Sequence, residues 1–382
     1  MPDITPPPAP LPPCPALVAL TCGDPAGIGP EVVLAAWHET TAHARARLRV
    51  VAPADLLGEV LRSVPNLPRL GVERVTIDDP RPSTAATVLV VEPDGGTDPA
   101  RRGRISAAGG RTAVRALERA FTLVQSAGRR GALVTGPLHK EALRAAGHDV
   151  PGHTEWLARA CGLPDQAASM MLWLAPLPPA PRAAPGMGTA APVALGSQPV
   201  DGMFHGHLGV VHVTLHESLS TALRRLSTAG IVAAGERLAP LLAALLGRPP
   251  RIGVAALNPH GGEGGLFGDE EARIVAPAVA TLRATGIAAE GPFPADTLFL
   301  RASRGSFDGV VALYHDQGHI PVKLLGMHRA VNITLGLPIV RTSVAHGTAF
   351  DIVGRGVADP TSMKAAIDAA VRLVEAGWRG DG

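Results

Sequence analysis

The chain has 382 residues, of which 46% are hydrophobic and 18% are charged, a composition typical of a globular enzyme with two domains or one large α/β domain. Its formal net charge is +2 without any block of like charges, so we expect no nucleic-acid partner and no membrane partner. No apolar run approaches the roughly 18 residues that span a bilayer, and the three cysteines form no CxxC pair. These features favour a cytoplasmic protein without a disulfide framework.

Proline is concentrated in two segments. Residues 1–15 contain eight prolines and residues 175–199 contain seven. Both segments have almost no charge and no periodicity, which is typical of disordered or polyproline-like chain. We therefore predict a disordered tail over 1–15, which lacks the features of a secretory signal, and a Pro-rich insertion over 175–208.

Short β-branched runs alternate with longer helical patterns along the rest of the chain. The runs predict strands over 16–21, 48–52, 87–92, 131–135, 209–215, 251–257, 309–314 and 330–334. Helical patterns cover 31–37, 111–126, 219–226, 232–246, 269–285 and 361–375. This alternation predicts an α/β fold with a largely parallel sheet.

Five polar clusters come directly after predicted strands. They are residues 23–30, 135–140, 216–217, 258–263 and 315–319. Ligands of open α/β sheets bind outside the carboxyl ends of the strands, so we expect all five clusters on a common face. The first cluster is spaced GxxxGxG rather than GxGxxG, which makes a Rossmann-type nucleotide site a weak interpretation.

Three histidines at strand ends are candidate metal ligands. His216, His260 and His315 each follow a strand in a polar or Gly-rich context, and three imidazoles with an open position suit a catalytic divalent ion. For any one of them alone, a capped or core histidine is the simpler explanation. His205, His207 and His212 are poorer candidates, whereas His319 and His346 lie beside motif residues.

Lys323, Asn332 and Arg341 are candidates for anion recognition. Lys323 interrupts an apolar stretch, and a charge in such surroundings needs a partner such as a phosphate or carboxylate. Residues 346–356 supply small side chains that let backbone approach a ligand, with Asp351 available for a ribose hydroxyl. A plain Gly-rich loop before the last helix would explain the same residues.

Seven motifs in a fixed order resemble the 4-hydroxythreonine-4-phosphate dehydrogenase (PdxA) family, including its PdxA-like paralogues. The resemblance runs from about residue 17 to residue 373. The motifs are GDPAGIGPE (23–31), TGPLHK (135–140), GHTE (152–155), LNPHGGEGG (257–265), GPFPADTLF (291–299), YHDQGHIPVK (314–323) and VNITLGLPIVRTSVAHGTAFDI (331–352).

The resemblance implies an α/β fold of the isocitrate/isopropylmalate dehydrogenase type, with two α/β domains around a cleft. It implies a first domain of residues 16–133 and 332–382 on the cofactor side. The second domain, residues 134–331, would carry the metal, the substrate and the dimer contacts. The implied assembly is a homodimer whose partner subunit completes each active site.

The same resemblance assigns the site residues. The implied ligands of one divalent ion (Zn, Mg or Co) are His216, His260 and His315. The implied substrate-binding residues are His153, Thr154, Lys323, Asn332 and Arg341. The implied loop for NAD or NADP contains His346, Gly347, Thr348 and Asp351.

The implied reaction is a metal-dependent, NAD(P)-linked oxidation of 4-(phosphooxy)-L-threonine. Its β-keto acid product would decarboxylate to 3-amino-2-oxopropyl phosphate in pyridoxal phosphate biosynthesis. A metal ion would stabilise the alkoxide and then the enolate, and Lys323 and Arg341 would hold the anionic ends of the substrate. Lys323, Asp316 and Asp296 are the candidate catalytic residues, the two acids by position only.

His319 departs from the pattern of the vitamin-pathway enzymes, which predicts an apolar residue there, and resembles paralogues that act on other substrates. The alternatives are therefore the same chemistry on phospho-threonate or phospho-erythronate, or on a cis-dihydrodiol carboxylate. A more remote alternative is a phosphate acyltransferase of related fold, which needs no three-histidine metal site. A non-catalytic protein that has kept the fold is a further alternative.

Overall fold

The computed structural model describes residues 15–380 apart from residues 97, 99, 151, 177–203 and 205. The predicted tail, except for Pro15, and most of the predicted insertion therefore lie outside the described residues. His205 lies outside them as well.

The described residues contain twelve strands, which all belong to one sheet. They are β1 (Ala16–Thr21), β2 (Ala46–Val51), β3 (Gly71–Arg74), β4 (Thr87–Val91), β5 (Gly131–Thr135), β6 (Ser169–Leu174), β7 (Leu208–His212), β8 (Ile252–Ala255), β9 (Ala289–Phe293), β10 (Gly309–Ala312), β11 (Ala330–Leu335) and β12 (Val340–Val344). Their order across the sheet is β3-β4-β2-β1-β5-β12-β11-β6-β7-β10-β8-β9.

Eleven α-helices of the described chain cover the sheet. They are α1 (Gly29–Glu39), α2 (Ala54–Ser63), α3 (Ala107–Ala127), α4 (Lys140–Ala145), α5 (His153–Ala160), α6 (Leu219–Arg225), α7 (Thr228–Leu246), α8 (Ala276–Ala284), α9 (Ala295–Ser303), α10 (His315–Gly326) and α11 (Thr361–Glu375). The α/β class is confirmed.

All eight predicted strands exist, and four more were missed. β3 is a short, mostly exposed edge strand with charged residues, and β9 contains Gly291 and Pro292 at the other edge of the sheet. β12 contains Arg341, whose side chain is buried. The predicted helix over 269–285 begins with a π-helical turn, Glu271–Val275, before α8.

The prediction that all five polar clusters share one face was wrong because the sheet reverses direction in its middle. β1, β5 and β12 run parallel to one another, and β7, β8 and β10 form a second parallel set. Between the sets, β12 pairs antiparallel with β11, β11 with β6, and β6 with β7. The carboxyl ends of the two sets therefore lie at opposite edges of the sheet.

The two faces of the sheet differ where β11 crosses its centre. Val331 and Ile333 point into the largest apolar cluster, together with residues of α1, α7, α8 and α11. Asn332 and Thr334 alternate with them and so point to the opposite face. That face carries α3 and α5 over one end of the sheet and α9 and α10 over the other.

α7 is longer and more apolar than the sequence analysis allowed. Its 19 residues have the length and apolar composition of a membrane-crossing helix, so the expectation that no apolar run would suffice was wrong on that criterion. In this fold α7 packs against β7, β10 and α8, and Leu238, Leu241 and Leu242 are fully buried. Core packing accounts for its composition.

Arg329 holds the two ends of the Pro-rich insertion together. Its buried guanidinium donates hydrogen bonds to Ala175 O (2.6 Å), Phe204 O (3.0 Å) and Gly206 O (3.2 Å). β6 and β7 are antiparallel neighbours: β6 ends at Leu174, and β7 begins at its partner Leu208. Both ends of the insertion are therefore fixed beside each other without the residues between them.

Deletion of residues 177–203 is therefore expected to leave the fold intact. Joining residue 176 to 204 leaves residues 175, 176 and 204–207 between β6 and β7, an ordinary length for a hairpin loop. Shortening the connection also lowers its closure entropy, by about 1–2 kcal/mol. Urea unfolding should show a cooperative transition at an equal or higher midpoint. A matched deletion of residues 177–206 removes two acceptors of Arg329 and should lower the midpoint; equal midpoints would contradict this account.

Asp308 is a buried carboxylate that ties β10 to its surroundings. It accepts hydrogen bonds from both terminal nitrogens of Arg248, from Arg251 N (2.8 Å) and from His207 Nε2 (3.0 Å). Burial alone would raise the pKa of Asp308, but the hydrogen bonds from Arg248 and Arg251 lower it well below the ordinary 3.8.

Asp308→Asn should destabilise the protein by about 2 kcal/mol at pH 7, because the amide offers one acceptor oxygen and no charge to the hydrogen-bond donors around it. A lowered pKa in the folded state stabilises above the ordinary pKa, and this stabilisation disappears as the pH falls below about 4. The difference in urea midpoint between wild type and variant should therefore narrow below pH 4. A difference that stays constant with pH would contradict the assignment.

Candidate functional site

Four histidine side chains form one cluster, here called the histidine group: His212, His216, His315 and His319. The rings of His315 and His319 are stacked with centroids 3.8 Å apart. The centroid of His319 lies 4.6 Å from that of His212, and the centroid of His315 lies 5.8 Å from that of His216. His319 Nδ1 is also 3.1 Å from His212 Nε2.

The fold brings these rings together at the carboxyl ends of two paired strands. His212 is the last residue of β7, which pairs with β10, and α10 begins at His315 shortly after β10. His315 and His319 are four residues apart and so lie on one face of the helix. Burial, followed by the charges of neighbouring histidines, lowers the pKa of His212 to about 3 and that of His319 to about 4. Both rings are therefore neutral at pH 7.

Asp316 orients His315. Asp316 Oδ1 lies 2.6 Å from His315 Nδ1, which directs Nε2 of the same ring away from the carboxylate. A metal-binding imidazole usually donates its other ring N–H to a carboxylate, carbonyl or water, and Asp316 can supply that carboxylate here. His315 and His216 both border an open cavity of about 520 Å³.

His260 is not part of the histidine group. It lies on an exposed loop of left-handed backbone in which His260, Gly261, Gly262 and Glu263 all have positive φ angles. Within the described part of the chain, no three His, Cys, Asp or Glu side chains are placed to hold a metal ion. The structure therefore brings together two of the three predicted ligands, His216 and His315.

A second cavity, of about 160 Å³, extends from the histidine group beneath α10. Lys323 and Asn332 line it together with His315 and His319. Asn332 Nδ2 donates to Val344 O at 3.2 Å, and its Oδ1 is buried without a hydrogen-bond partner. An unpaired buried acceptor beside an ammonium group is a polar site for a small ligand.

Arg341 is a buried cation without an acidic hydrogen-bond partner among the described residues. It is 5% exposed, and it donates to Thr334 Oγ1 (3.0 Å) and Thr135 Oγ1 (2.7 Å). Its Nε has no partner. Burial lowers the pKa of Arg341 to about 10, so the guanidinium is still charged at pH 7. The charge of Glu155 acts on the pKa of Arg341 in the opposite direction, but no carboxylate among the described residues hydrogen-bonds to the guanidinium, so a bound anion would supply such a partner.

His153 and Thr154 begin α5 close to this guanidinium. Burial, and then the charge of Arg341, lower the pKa of His153 well below its ordinary value. A neutral imidazole and a hydroxyl at a helix N-terminus can both donate to an anion.

One sheet face connects the cavity to Arg341. Asn332 pairs with Leu172, and Thr334 pairs with Met170; Met170 and Leu172 both line the 160 Å³ cavity. Thr334 is two residues beyond Asn332 on the same face and accepts from Arg341. Lys323, Asn332 and Arg341 are thus brought to one continuous surface.

The predicted cofactor loop packs on the loop that follows β1. Ile28 N donates to Thr348 O at 3.0 Å, because β1 and β12 both end at this edge of the sheet. Gly347 is exposed to open space, and Asp351 is exposed. His346 Nε2 is buried without a partner, which leaves a polar atom for a ligand to satisfy.

The positions of some residues differ from those expected from the sequence. Asp296 is exposed in the first turn of α9 and accepts from Thr297 N at 2.8 Å, and it is not among the residues that line either cavity. His212, ranked low because it lies within a strand, is a member of the histidine group. Thr135 and Thr334, which accept hydrogen bonds from Arg341, were given no role, although each lies in one of the seven motifs.

Buried Arg341 and the lysine beside the neutral histidines are groups suited to bind a small anionic molecule. The family described as pyridoxal phosphate biosynthetic protein PdxA has a model that matches residues 45–370. The chain belongs to this family, and the resemblance drawn from the sequence motifs is confirmed.

Relatives carry two kinds of name. A 4-hydroxythreonine-4-phosphate dehydrogenase of Beijerinckia indica is 41% identical over 93% of this chain and 94% of that protein. A D-threonate 4-phosphate dehydrogenase of Cupriavidus necator is 40% identical over 94% of this chain and 97% of that protein. The solved 4-hydroxythreonine-4-phosphate dehydrogenase of Klebsiella pneumoniae has a TM-score of 0.71 and 37% identity, covering 94% of this chain and 98% of that one. The chain is therefore a dehydrogenase, an oxidoreductase that acts on a CH–OH group.

Proposed function

We propose that this dehydrogenase oxidises the C3 hydroxyl of a four-carbon acid that carries a phosphate on C4, with NAD or NADP as hydride acceptor. The observation that carries the proposal is Arg341, a buried guanidinium that has no hydrogen-bonded carboxylate among the described residues. It lies on the sheet face of Asn332, which lines a cavity together with Lys323 of α10. The two acids in question are 4-phosphooxy-threonine and threonate 4-phosphate, the substrates in the relatives' names.

The anionic ends of the substrate would be held by residues on both sides of the sheet centre. Arg341, with His153 and Thr154 at the start of α5, suits one anion, and Lys323 suits the other. Asn332 Oδ1, buried and unpaired, would accept a hydrogen bond from the polar middle of the substrate. Two charged anchors and one acceptor would fix the reacting C–H in one orientation, which is the main contribution of binding to such a reaction.

We also propose that His216, His260 and His315 hold one divalent ion (Zn, Mg or Co). The donor chemistry fits for two ligands. Asp316 contacts Nδ1 of His315, and the ring centroid of His216 lies 5.8 Å from that of His315. We assign the third imidazole to His260 on the motif alone. An ion bound there would lower the pKa of the substrate hydroxyl and stabilise negative charge on that oxygen.

The three candidate catalytic residues would have different roles. Lys323 is exposed and borders the cavity, so its side chain can reach the reacting end of a bound substrate. Asp316 orients His315 rather than reacting itself, because its Oδ1 is already in contact with that ring. Asp296 lines neither cavity, so its position does not support a catalytic role.

Oxidation at C3 gives a β-keto acid, whose C1–C2 bond breaks to release CO₂ while its electron pair passes into the ketone as an enolate. Protonation of C2 completes the reaction. The product would be 3-amino-2-oxopropyl phosphate from the amino acid, as in pyridoxal phosphate biosynthesis. From the hydroxy acid it would be the corresponding phosphorylated hydroxyketone.

The cofactor would bind along His346, Gly347, Thr348 and Asp351. Gly347 leaves the backbone open to a ligand, His346 Nε2 would gain a partner, and Asp351 could accept from a ribose hydroxyl. We further propose that residues 16–133 with 332–382 form the cofactor-side domain, that residues 134–331 form the other, and that the enzyme acts in the cytoplasm.

A homodimer that shares its active sites is the assembly we propose. Ile320 and Leu324 lie one turn apart on α10 and are 55% and 77% exposed, and Met327 follows them at 41%. This apolar strip borders the cavity that Lys323 lines, so a second subunit that covers it would also close the site. Light scattering should report twice the mass of the chain; a monomer that is fully active would contradict the shared site.

The experiment that tests the proposed function measures NADH and NADPH formation with each of the two phosphorylated acids, before and after chelation. We expect oxidation of at least one acid, lost on chelation and restored by a divalent ion. No reduced cofactor with either acid would overturn the proposal. Formation of NADH or NADPH that survives chelation would remove the metal from the proposal and leave the oxidation itself standing.

A further inference from the structure

Two buried polar side chains, Thr214 and Gln317, both bind the backbone of Leu313. Thr214 Oγ1 donates to Leu313 O at 2.8 Å, and Leu313 N donates to Gln317 Oε1 at 2.7 Å. Gln317 Nε2 donates in turn to Ala256 O at 2.7 Å. A backbone N–H can only donate and a carbonyl can only accept, so these partners define the orientation of the Gln317 amide. Thr214 and Gln317 are here called the strand-end pair.

The strand-end pair connects the carboxyl ends of three neighbouring strands. Thr214 follows β7, Leu313 follows β10 and Ala256 follows β8. These strands lie side by side in the order β7-β10-β8. Thr214 therefore links the end of β7 to the end of β10, and Gln317 links the end of β10 to the end of β8. The chain segments that leave the sheet here are held at fixed separations.

Two of the proposed metal ligands follow directly after these hydrogen bonds. His216 comes two residues after Thr214, and His315 comes two residues after Leu313. The bond from Leu313 N to Gln317 also closes a turn with His315 at its centre. The strand-end pair therefore sets the position of the backbone of His315 relative to that of His216.

Side-chain packing restrains these two histidines less than it restrains the strand-end pair. His216 is exposed and His315 is half-buried, whereas Thr214 and Gln317 are both buried. The ligands of a metal site must be held within about 0.5 Å of their productive positions. Buried polar side chains whose hydrogen bonds are satisfied make their surroundings rigid, so the strand-end pair can supply that precision through the backbone.

Resting on the proposed function, we propose that Thr214 and Gln317 are positioning residues of the metal site. They hold the backbone of His216 and His315 at the separation that one divalent ion requires. Neither residue lines the two cavities of the site, so both act through the histidines and not on the substrate.

The test titrates metal-free protein with Co²⁺ and follows the visible spectrum under conditions in which every variant is folded. Gln317→Met removes both hydrogen bonds of the amide and should weaken Co²⁺ binding about tenfold, the lower end of the effect of residues that orient metal ligands. Thr214→Val should weaken it less, because Thr214 N also donates to Leu313 O at 3.3 Å. Thr214→Ser keeps the hydroxyl and should bind Co²⁺ like the wild type.

Asp308→Asn is the matched control, because Asp308 precedes β10 at the opposite end of that strand. It should lower the urea midpoint, as argued above, and leave the affinity for Co²⁺ at the wild-type value. Wild-type affinity in either Gln317→Met or Thr214→Val would overturn the inference and leave the dehydrogenase function standing. Equal weakening in Asp308→Asn would overturn it as well, since any loss of stability would then have the same effect.

If Gln317→Met does not fold, the comparison of Thr214→Val with Thr214→Ser decides. Equal affinities of these two variants would overturn the inference, and weaker binding by Thr214→Val alone would support it. Formation of NADH or NADPH by the wild type is measured in parallel. A wild-type protein that binds no Co²⁺ would overturn the metal site of the proposed function, and the inference with it.

Discussion

Arg341→Met is expected to lower kcat/KM about a hundredfold or more while leaving the folded protein at least as stable. The guanidinium is buried and hydrogen-bonded to two threonine hydroxyls, and no carboxylate of the described residues hydrogen-bonds to it. Removing a buried charge that pairs with a bound anion weakens binding by about 3 kcal/mol. Removing the same charge from the unliganded protein relieves a desolvation penalty, and apolar replacements of buried charges are often neutral or stabilising.

Arg329→Met is the matched control. Arg329 is also buried, but it donates to three backbone carbonyls at the ends of the insertion. Its replacement should lower the free energy of unfolding by about 3 kcal/mol, because the carbonyls lose their donors, and should leave KM unchanged. Urea unfolding and steady-state kinetics on both variants separate the two roles. An Arg341→Met enzyme with normal KM, or one as unstable as Arg329→Met, would show that Arg341 is structural.

The sequence predicted most of the elements because their signals are local. The strands at residues 16–21 and 131–135 and the helix at 361–375 were placed at their observed ends, since each is a uniform run bounded by turn residues. β12 was missed because Arg341 lies within it. Side-chain burial of an arginine depends on the partners Thr135 and Thr334, which belong to other strands.

The direction of the strands could not be predicted in the same way. β6 and β11 reverse the sheet only because they pair with each other across about 160 residues of chain, and no local pattern encodes that pairing. The same non-local pairing places Asn332 on the surface that leads to Arg341. The motifs therefore supplied the candidate residues, and the register of the central strands determines which of them face one another.

The histidine group shows the same limit. His216 and His315 were chosen because they follow strands, whereas His212 was ranked low because it lies within a predicted strand. Its contact with His319 arises because β7 and β10 are paired, which places the end of one strand against the first turns of the helix after the other. A histidine pair inside a strand-to-helix junction has no sequence signature of its own.

His315→Ala is expected to remove bound metal and lower kcat about a thousandfold, because a divalent ion at a reacting oxygen contributes several kcal/mol to the stability of the transition state. His216→Ala should have the same effect, and His260→Ala should match them if the motif assigns the third ligand correctly. Metal content of the purified variants is the direct measurement. His148→Ala, a histidine outside both cavities, should retain the wild-type content.

Asp316→Asn distinguishes a ligand's orienting partner from a catalytic base. The amide can still contact His315 Nδ1 but cannot carry the negative charge that strengthens the ring as a ligand, so we expect metal affinity to fall about 10- to 100-fold. Activity should return when the ion is supplied in excess, because the reacting groups are intact. If Asp316 were the base instead, metal affinity would be normal and excess metal would restore nothing. Two measurements distinguish the roles. A titration with Co²⁺ followed in the visible spectrum measures metal affinity, which falls if Asp316 orients His315. Kinetics at saturating Co²⁺ measure turnover, which stays low if Asp316 is the base.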